Sequence, residues 1–216
     1  MMGASGAVGG ETLKELLSFS HLEKLTLLGR APIPDIENSI VHQHKIDIFN
    51  PSSYESFVQN HEKAICTLGV GQPSKISKEQ FIQIDKKAVI DFAIKCKEAG
   101  VNHFQLLASV GISAKSSSFY LRIKGELVEE LKALNFERLS IFQPSMILTP
   151  TNRYGFSQAV TLAVWPIISP LFIGKTRKYR GIKVDILGRS IARNTFTKSS
   201  GIEFLTWDDF IRLTKP

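Results

Sequence analysis

The stretch MMGASGAVGGETLKELL at residues 1–17 decides the fold class of this 216-residue chain. Gly3, Gly6 and Gly9 are spaced as G-x-x-G-x-x-G, and the amphipathic run at residues 11–17 is typical of the start of a helix. A glycine-rich turn of this kind binds the pyrophosphate of a dinucleotide when a buried strand leads into it. Only Met1 and Met2 precede the turn, so we expect the first strand of the sheet to be missing at the N-terminus.

Strand and helix patterns alternate along the rest of the chain. Short apolar runs predict strands at residues 24–30, 45–49, 63–71, 101–109 and 138–145. Amphipathic patterns predict helices at residues 78–99 and 118–134. Because strands separated by helices connect through right-handed crossovers, this order predicts an α/β fold, a Rossmann-like doubly wound parallel sheet with helices on both faces. The ligand of such a sheet lies at the carboxyl ends of its strands.

The alternation of strand and helix patterns becomes less regular after Pro150. It continues as an apolar helix, a basic stretch at residues 174–181, a further helix and a last strand-helix pair at residues 201–213. We find no repeat and no low-complexity linker in the sequence. We therefore interpret residues 1–216 as a single dinucleotide-binding domain, in which about residues 150–216 form an elaboration on the substrate side.

The composition narrows the class of protein. With 43% hydrophobic and 22% charged residues, the chain is neither disordered nor fibrous. Its net charge of +7 is compatible with binding a nucleic acid, an anionic membrane surface or a phosphate-bearing ligand, and it does not distinguish between these partners. The longest apolar run, residues 159–173, contains Pro166 and Pro170, so no transmembrane segment is predicted. Cys66 and Cys96 form no C-x-x-C pair, which favours buried free thiols, a reducing compartment and a cytoplasmic location, with an organelle or peripheral membrane association left open.

Three residues form a candidate catalytic group. Tyr120 and Lys124 are spaced i and i+4, so both side chains lie on one face of the predicted helix. The ammonium of Lys124 would favour the ionised form of the tyrosine, which suits proton transfer. Ser109 closes the preceding strand, where its hydroxyl can bind a substrate carbonyl oxygen. The alternative interpretation of the Y-x-x-x-K pair is an exposed helix pair without chemistry.

A family resemblance covers most of the chain to Leu148 and continues more loosely beyond it. It rests on GASGAVG, LTLLGR, ICTLGVG, FIQIDKKAV, VNHFQLLASVGISAKSSSFYLRIKGELVEEL and LSIFQPSMIL, and the segment from Ser109 to YLRIKGE is its most specific part. These stretches resemble the atypical short-chain dehydrogenase/reductases. The resemblance implies an NADP-linked oxidoreductase with a catalytic Ser109, Tyr120 and Lys124. It implies that the cofactor is bound by Gly3, Ser5, Gly6, Val8, Arg30, Leu68, Gly69, Tyr120, Lys124 and Pro144.

The choice of cofactor depends on Arg30. It ends the predicted strand at residues 24–30, where NAD-selective sites commonly place an acid for the ribose hydroxyls. A guanidinium instead suits the extra phosphate of NADP, so we expect NADP rather than NAD. The sequence departs from the family in two respects: the first strand is absent, and no asparagine can be placed as a fourth catalytic residue.

Two functions follow from these residues. The first is an NADP-dependent oxidoreductase that transfers a hydride between the nicotinamide and a carbonyl or alcohol substrate. The alternative is a dinucleotide-binding regulatory protein that contacts a protein partner with little or no turnover. Nucleic-acid binding ranks third, because the basic residues are dispersed and no known module is present.

Other candidate residues favour simpler interpretations. His42 and His44 are two positions apart, a spacing that would place both on one face of a strand, but they have no third ligand of suitable type, so no metal site is predicted. Solvated or edge histidines are the preferred interpretation. The serines at positions 113 and 116–118 indicate a polar loop. The cations Lys175, Arg177, Lys178 and Arg180 indicate a solvated loop, with an anionic membrane or a partner protein as the minority alternative.

Overall fold

A parallel sheet crosses the centre of the protein in the computed structural model, which describes residues 1–150 and 169–215. Within the described ranges the strands are β1 (Leu25–Gly29), β2 (Val41–Lys45), β3 (Lys63–Cys66), β4 (His103–Leu107), β5 (Arg138–Phe142), β6 (Ile147–Leu148), β7 (Ile182–Lys183) and β8 (Gly201–Leu205). They pair in the order β2-β1 and β3-β4-β5-β8, and β6 pairs separately with β7. All these pairs are parallel, as the sequence predicts.

Helices cover both faces of the sheet. They are α1 (Ala7–Leu16), α2 (Lys78–Ile82), α3 (Ala88–Glu98), α4 (Phe119–Ala133), α5 (Val184–Asn194) and α6 (Trp207–Thr214), with a π-helical segment (Gln83–Lys87) between α2 and α3. One core cluster joins α3 and α4 to the sheet, and the other joins α1, α5 and α6 to it. Successive strand residues alternate between the clusters: Ala64 and Cys66 face α3 and α4, whereas Ile65 faces the other side.

Met1 and Met2 lie between β1 and β3. Met2 forms parallel bridges with Leu28 on one side and Cys66 on the other, which joins the two parts of the sheet. Its N–H donates to the carbonyl of Ile65 at 2.9 Å, and its own carbonyl accepts from the N–H of Thr67 at 2.9 Å. These two residues therefore occupy the position of the carboxyl end of the expected first strand.

The second strand lies earlier than predicted. The apolar pattern at residues 45–49 indicated a strand, but β2 is the half-exposed segment VHQHK at residues 41–45. Ile46 and Ile48 are buried in the core, yet the backbone around them bonds to side chains: Ser53 accepts from Asp47 N–H, and Asp47 accepts from Phe49 N–H. The prediction was wrong because apolar residues here fill the core from a loop, while the strand itself pairs only with β1 in the described chain.

The C-terminal part completes the same sheet. β8 pairs with β5 along its whole length, and α5 packs against α1 so closely that a side chain at Gly188 would overlap Glu11. Arg193 of α5 also forms an ion pair with Glu15 of α1 at 2.7 Å. The apolar helix predicted after Pro150 lies outside the described residues. Within the described ranges, no helix combines the length and apolar character needed to span a bilayer.

Candidate functional site

A cleft opens at the carboxyl ends of the Met1–Met2 segment and β1. It brings together four residues that the sequence predicts to bind a cofactor, namely Gly3, Ser5, Arg30 and Leu68. Its position is the edge of a parallel sheet where such folds bind ligands.

The glycine turn requires glycine for steric reasons. Gly3 has φ +91°, and a Cβ there would lie 2.6 Å from the carbonyl carbon of Thr67 and 2.7 Å from the nitrogen of Leu68. A Cβ on Gly9 would overlap the carbonyl oxygen of Gly3. The turn therefore packs directly on the segment after β3 and on the first turn of α1. Neither approach is possible for a residue with a side chain.

No side chain in the described part of the protein caps the N-terminus of α1. Gly6 is its N-cap, and the first turn contains no acidic residue. The backbone N–H groups of a first turn need partners, and the helix dipole favours an anion there. The side chain of Val8 packs into the core, so only its backbone can face such an anion. The geometry suits a pyrophosphate group.

Arg30 and its surroundings form the far end of the cleft. The side chain is exposed, and it forms no ion pair within residues 1–150 and 169–215. Gln43 of β2 fixes the neighbouring loop at two points: it accepts from the N–H of Ile33 at 2.8 Å and donates to its carbonyl at 3.0 Å. His44 also lines the cleft and stacks on Phe57 with ring centroids 3.7 Å apart. Burial, His42 and Lys24 lower the pKa of His44, which favours its neutral form.

Sequence reasoning missed Gln43 and His44 as residues of the cleft. The reason is the misplaced strand: with β2 set at residues 45–49, positions 43 and 44 fell in a loop ahead of it. No cluster of metal-binding side chains is present in the part of the chain that the structure describes.

The loops after β4 and β5 meet next to Ser109. Ser109 is half-buried directly after β4, and its neighbour Val110 donates its N–H to the carbonyl of Pro144 at 3.0 Å. Tyr120 lies in the first turn of α4 with its ring centroid 5.5 Å from that of Phe81. The polar loop predicted between Ser109 and α4 is present as turns, in which Ser113 and Ser116 hydroxyls accept backbone N–H groups.

Lys124 lies one turn after Tyr120 and is buried. Its ammonium is 2.7 Å from a carboxylate oxygen of Asp85, and the two side chains are only 4% and 2% exposed. Burial alone would lower the pKa of Lys124, but the charges of Asp85 and Tyr120 and the bond to Asp85 outweigh it, so its pKa is raised. Lys124 therefore keeps its positive charge inside the protein.

Asp85 was also missed by sequence reasoning. Its second carboxylate oxygen accepts the N–H of Val70 at 2.8 Å, next to the predicted cofactor residue Gly69. The sequence did contain a signal for it. Asp85 lies four residues after the buried Phe81 and three before the buried Ala88, which places this acid on the apolar stripe of its helix. A buried acid on such a stripe needs a charged partner.

The basic stretch near the C-terminus is partly structural. It forms a 3₁₀ helix (Gly174–Tyr179), and Arg177 and Arg180 lie over the ring of Trp207 at 5.2 and 5.0 Å from its centroid. Arg177 also pairs with Asp208 at 2.6 Å. The predicted solvated loop is thus held against α6 by two of its four cations.

Comparison with known proteins identifies relatives by sequence. No family model matches the chain. Protein HTATIP2 of Rattus norvegicus is 35% identical over 150 residues, which cover 68% of this chain and 62% of that protein. The mitochondrial protein FMP52-1 of Scheffersomyces stipitis is 29% identical over 150 residues, covering 68% of this chain and 66% of that protein. The chain thus matches slightly less than two thirds of each relative, and the name of the second gives no support to a cytoplasmic location.

Solved structures share the fold. MoeE5 in complex with UDP-glucose and NAD superimposes with a TM-score of 0.70 at 14% identity, covering 94% of this chain and 73% of that one. The triphenylmethane reductase of Citrobacter sp. in complex with NADP(H) gives a TM-score of 0.62 at 11% identity, covering 95% and 68%. These similarities confirm the predicted Rossmann-like fold class.

Proposed function

The chain is a homologue of protein HTATIP2 with a Rossmann-like fold, and from this premise we propose that it is an NADP-dependent oxidoreductase. In this proposal a hydride passes between the nicotinamide and a carbonyl or alcohol substrate. The observation that carries the proposal is the cleft that unites Gly3, Ser5, Arg30 and Leu68 at the carboxyl edge of the sheet.

The phosphate-binding end of the proposed site is supported by the turn and the helix. The backbone N–H groups at the uncapped start of α1 would bind the pyrophosphate, with Gly3, Ser5, Gly6 and the backbone of Val8 around it. Arg30 would bind the 2′-phosphate that distinguishes NADP from NAD, because its guanidinium is exposed and has no acidic partner in the described chain. The similar structures of MoeE5 with NAD and of the triphenylmethane reductase with NADP(H) support a nicotinamide dinucleotide in general.

The chemical end of the proposed site lies between β4, β5 and α4. When bound, the dinucleotide would supply or accept the hydride. Ser109 would bind the substrate oxygen, and the Tyr120 hydroxyl would donate a proton to that oxygen during reduction and take it back during oxidation. The charged Lys124 would bind the ribose next to the nicotinamide, and Pro144 would border the ring. About residues 150–216 would contribute the substrate side, of which residues 169–215 are described.

The proposal is tested by measuring nucleotide binding first and nucleotide oxidation second. Purified protein is titrated with NADPH and NADH by fluorescence, and NADPH oxidation is then followed against a panel of aldehydes and ketones. We expect NADPH to bind more tightly than NADH and to be oxidised with at least one carbonyl. Failure to bind either nucleotide would overturn the proposal.

A second candidate function is supported by the exposed side of β8. Ile202 and Phe204 are 50% and 44% exposed, and such a pair of large apolar side chains on one face suits a protein partner. In that case the dinucleotide would regulate the contact with the partner. NADPH binding without oxidation by any member of the panel would favour this function.

A further inference from the structure

The buried ion pair between Asp85 and Lys124 connects two parts of the site that are distant in sequence. One carboxylate oxygen of Asp85 is 2.7 Å from the Lys124 ammonium, and the other accepts the N–H of Val70 at 2.8 Å. A Cβ on Gly69 would lie 3.1 Å from Asp85 and 3.8 Å from the Lys124 ammonium. The loop that lines the nucleotide and the helix that carries Tyr120 are thus held by a single side chain.

The backbone around Asp85 is unusual as well. Asp85 is the buried residue of the π-helical segment (Gln83–Lys87). A π turn is rare and occurs frequently at functional sites, and its wider spacing moves a side chain away from the ordinary helical position. Here the redirected side chain is an acid at the centre of the molecule.

We propose that Asp85 is a positioning residue, which sets Lys124 and the loop around Gly69 in the arrangement that receives the ribose next to the nicotinamide. This inference rests on the proposed function and deepens it, since the sequence offers no asparagine for the fourth catalytic position. Asp85 acts through Lys124 and Val70 and does not itself touch the substrate.

The carboxylate charge is essential to this role. An asparagine at position 85 could still accept the Val70 N–H, but its amide group would present hydrogens or a weaker oxygen to the Lys124 ammonium. A buried lysine without an anion loses its proton readily. Among the described residues, the other ionisable groups near Lys124 are Tyr120 on α4 and Cys66 on β3. Burial raises the pKa of the Cys66 thiol to about 11, so it stays neutral across the ordinary range and cannot replace the carboxylate.

The test compares Asp85→Asn with the wild type and with a matched control, Lys86→Gln. Lys86 belongs to the same π segment and also joins it to α4, through Glu126 at 2.8 Å and Glu130 at 2.9 Å, but its side chain is 21% exposed, against 2% for Asp85. The NADPH dissociation constant of each protein is measured by fluorescence titration from about pH 6 to about pH 9, together with thermal unfolding. At each pH the dissociation constant of the variant is divided by that of the wild type. This ratio is unaffected by the titration of the cofactor's own phosphate, because both proteins bind the same cofactor.

We expect the Asp85→Asn ratio to rise about tenfold or more between these two pH values, because Lys124 loses its charge in the variant as the pH increases. The Lys86→Gln ratio should stay constant. A constant Asp85→Asn ratio would overturn the inference even if the variant is less stable, since that pattern belongs to a purely structural ion pair. If the wild type binds no NADPH, the proposed function fails first and the inference fails with it.

A second variant covers the case in which Asp85→Asn does not fold. Asp85→Glu retains the negative charge but moves it one methylene further along the side chain. We expect weaker NADPH binding at every pH, with a constant ratio to the wild type. Wild-type affinity in Asp85→Glu would contradict a positioning role.

Discussion

Glu203 of β8 forms an ion pair with Arg138 of β5 at 2.7 Å, beneath α5 and within the core side of the sheet. Ser140 donates its hydroxyl hydrogen to the same carboxylate, and Asn194 of α5 bonds to both. His103 contacts Ser140 through Nε2 at 2.7 Å, and its Nδ1 is buried with no hydrogen-bond partner in the described chain. Because the Ser140 hydrogen is committed to Glu203, His103 must donate from Nε2.

This network predicts acid-sensitive stability. Burial, with a smaller contribution from Arg138, lowers the pKa of His103 to about 3 in the folded protein. Below its unfolded value of about 6.5, the unfolded chain binds a proton that the folded protein does not, so stability falls by about 1.4 kcal/mol per pH unit down to the folded value. His103→Gln should flatten this part of the profile. Urea unfolding at about pH 7 and about pH 5 measures it, and an unchanged slope would contradict the assignment.

Glu203 adds to the same trend at lower pH. Burial raises the pKa of Glu203, but the hydrogen bonds from Ser140, Arg138 and Asn194 lower it by more, so its pKa in the folded protein is below the usual value. A depressed carboxylate pKa stabilises the fold above the unfolded value of about 4.3 and loses this contribution as the pH falls through the folded value.

Tyr120→Phe should abolish reductase activity, with a loss of about 10²-fold or more, because the hydroxyl is needed for proton transfer. NADPH affinity should be nearly unchanged, since the ring and its contact with Phe81 remain. Tyr179→Phe, on the exposed 3₁₀ helix, is the matched control and should retain full activity. Initial rates and NADPH titrations of both variants provide the measurement. Undiminished turnover in Tyr120→Phe would remove the catalytic assignment.

Arg30→Ala should weaken NADP binding by about 10- to 100-fold, the value of one or two charge-assisted hydrogen bonds, and leave NAD binding almost unchanged. Lys45 is the matched control: it is an exposed cation paired in register with Gly29, next to Arg30. Lys45→Ala should change NADP affinity by much less. Equal affinity of the wild type for NAD and NADP, measured by calorimetry, would contradict the NADP preference.

Gly3→Ala should destabilise the protein and abolish dinucleotide binding. The new Cβ would collide with the backbone of Thr67 and Leu68, and φ +91° is a strained value for alanine. Gly10→Ala is the control in the same region, because the nearest atom to its Cβ would be 3.8 Å away and its position is helical. That substitution should raise stability by about 0.5–1 kcal/mol. Thermal unfolding of both variants distinguishes the turn from the helix behind it.

The sequence predicted the parallel sheet and most of its elements because buried strands and amphipathic helices carry strong periodic signals. It failed at β2, where the strand VHQHK is polar and the apolar Ile46 and Ile48 belong to a loop. It also treated residues 78–99 as one regular helix, since the π segment around Asp85 leaves no mark in hydrophobic periodicity.

The candidate site was predictable where a motif is local and unpredictable where it depends on packing. The glycine turn, Arg30 and the Tyr120–Lys124 spacing can be read from short stretches of sequence. The Asp85–Lys124 pair joins residues 39 positions apart, and Gln43 reaches Ile33 across a loop. Only the three-dimensional structure brings such partners together.

The packing of α5 on α1 has a consequence for the order in which this chain folds during synthesis. The helix that carries the glycine turn leaves the ribosome well before its partner Gly188 and before Arg193, the ion-pair partner of Glu15. Until then the apolar face of α1 has no cover on that side. Contacts over such a separation slow folding, because a long loop must close before they form. The nascent chain should therefore acquire a nucleotide site only after translation has passed Arg193, and a ribosome stalled earlier should display α1 to chaperones.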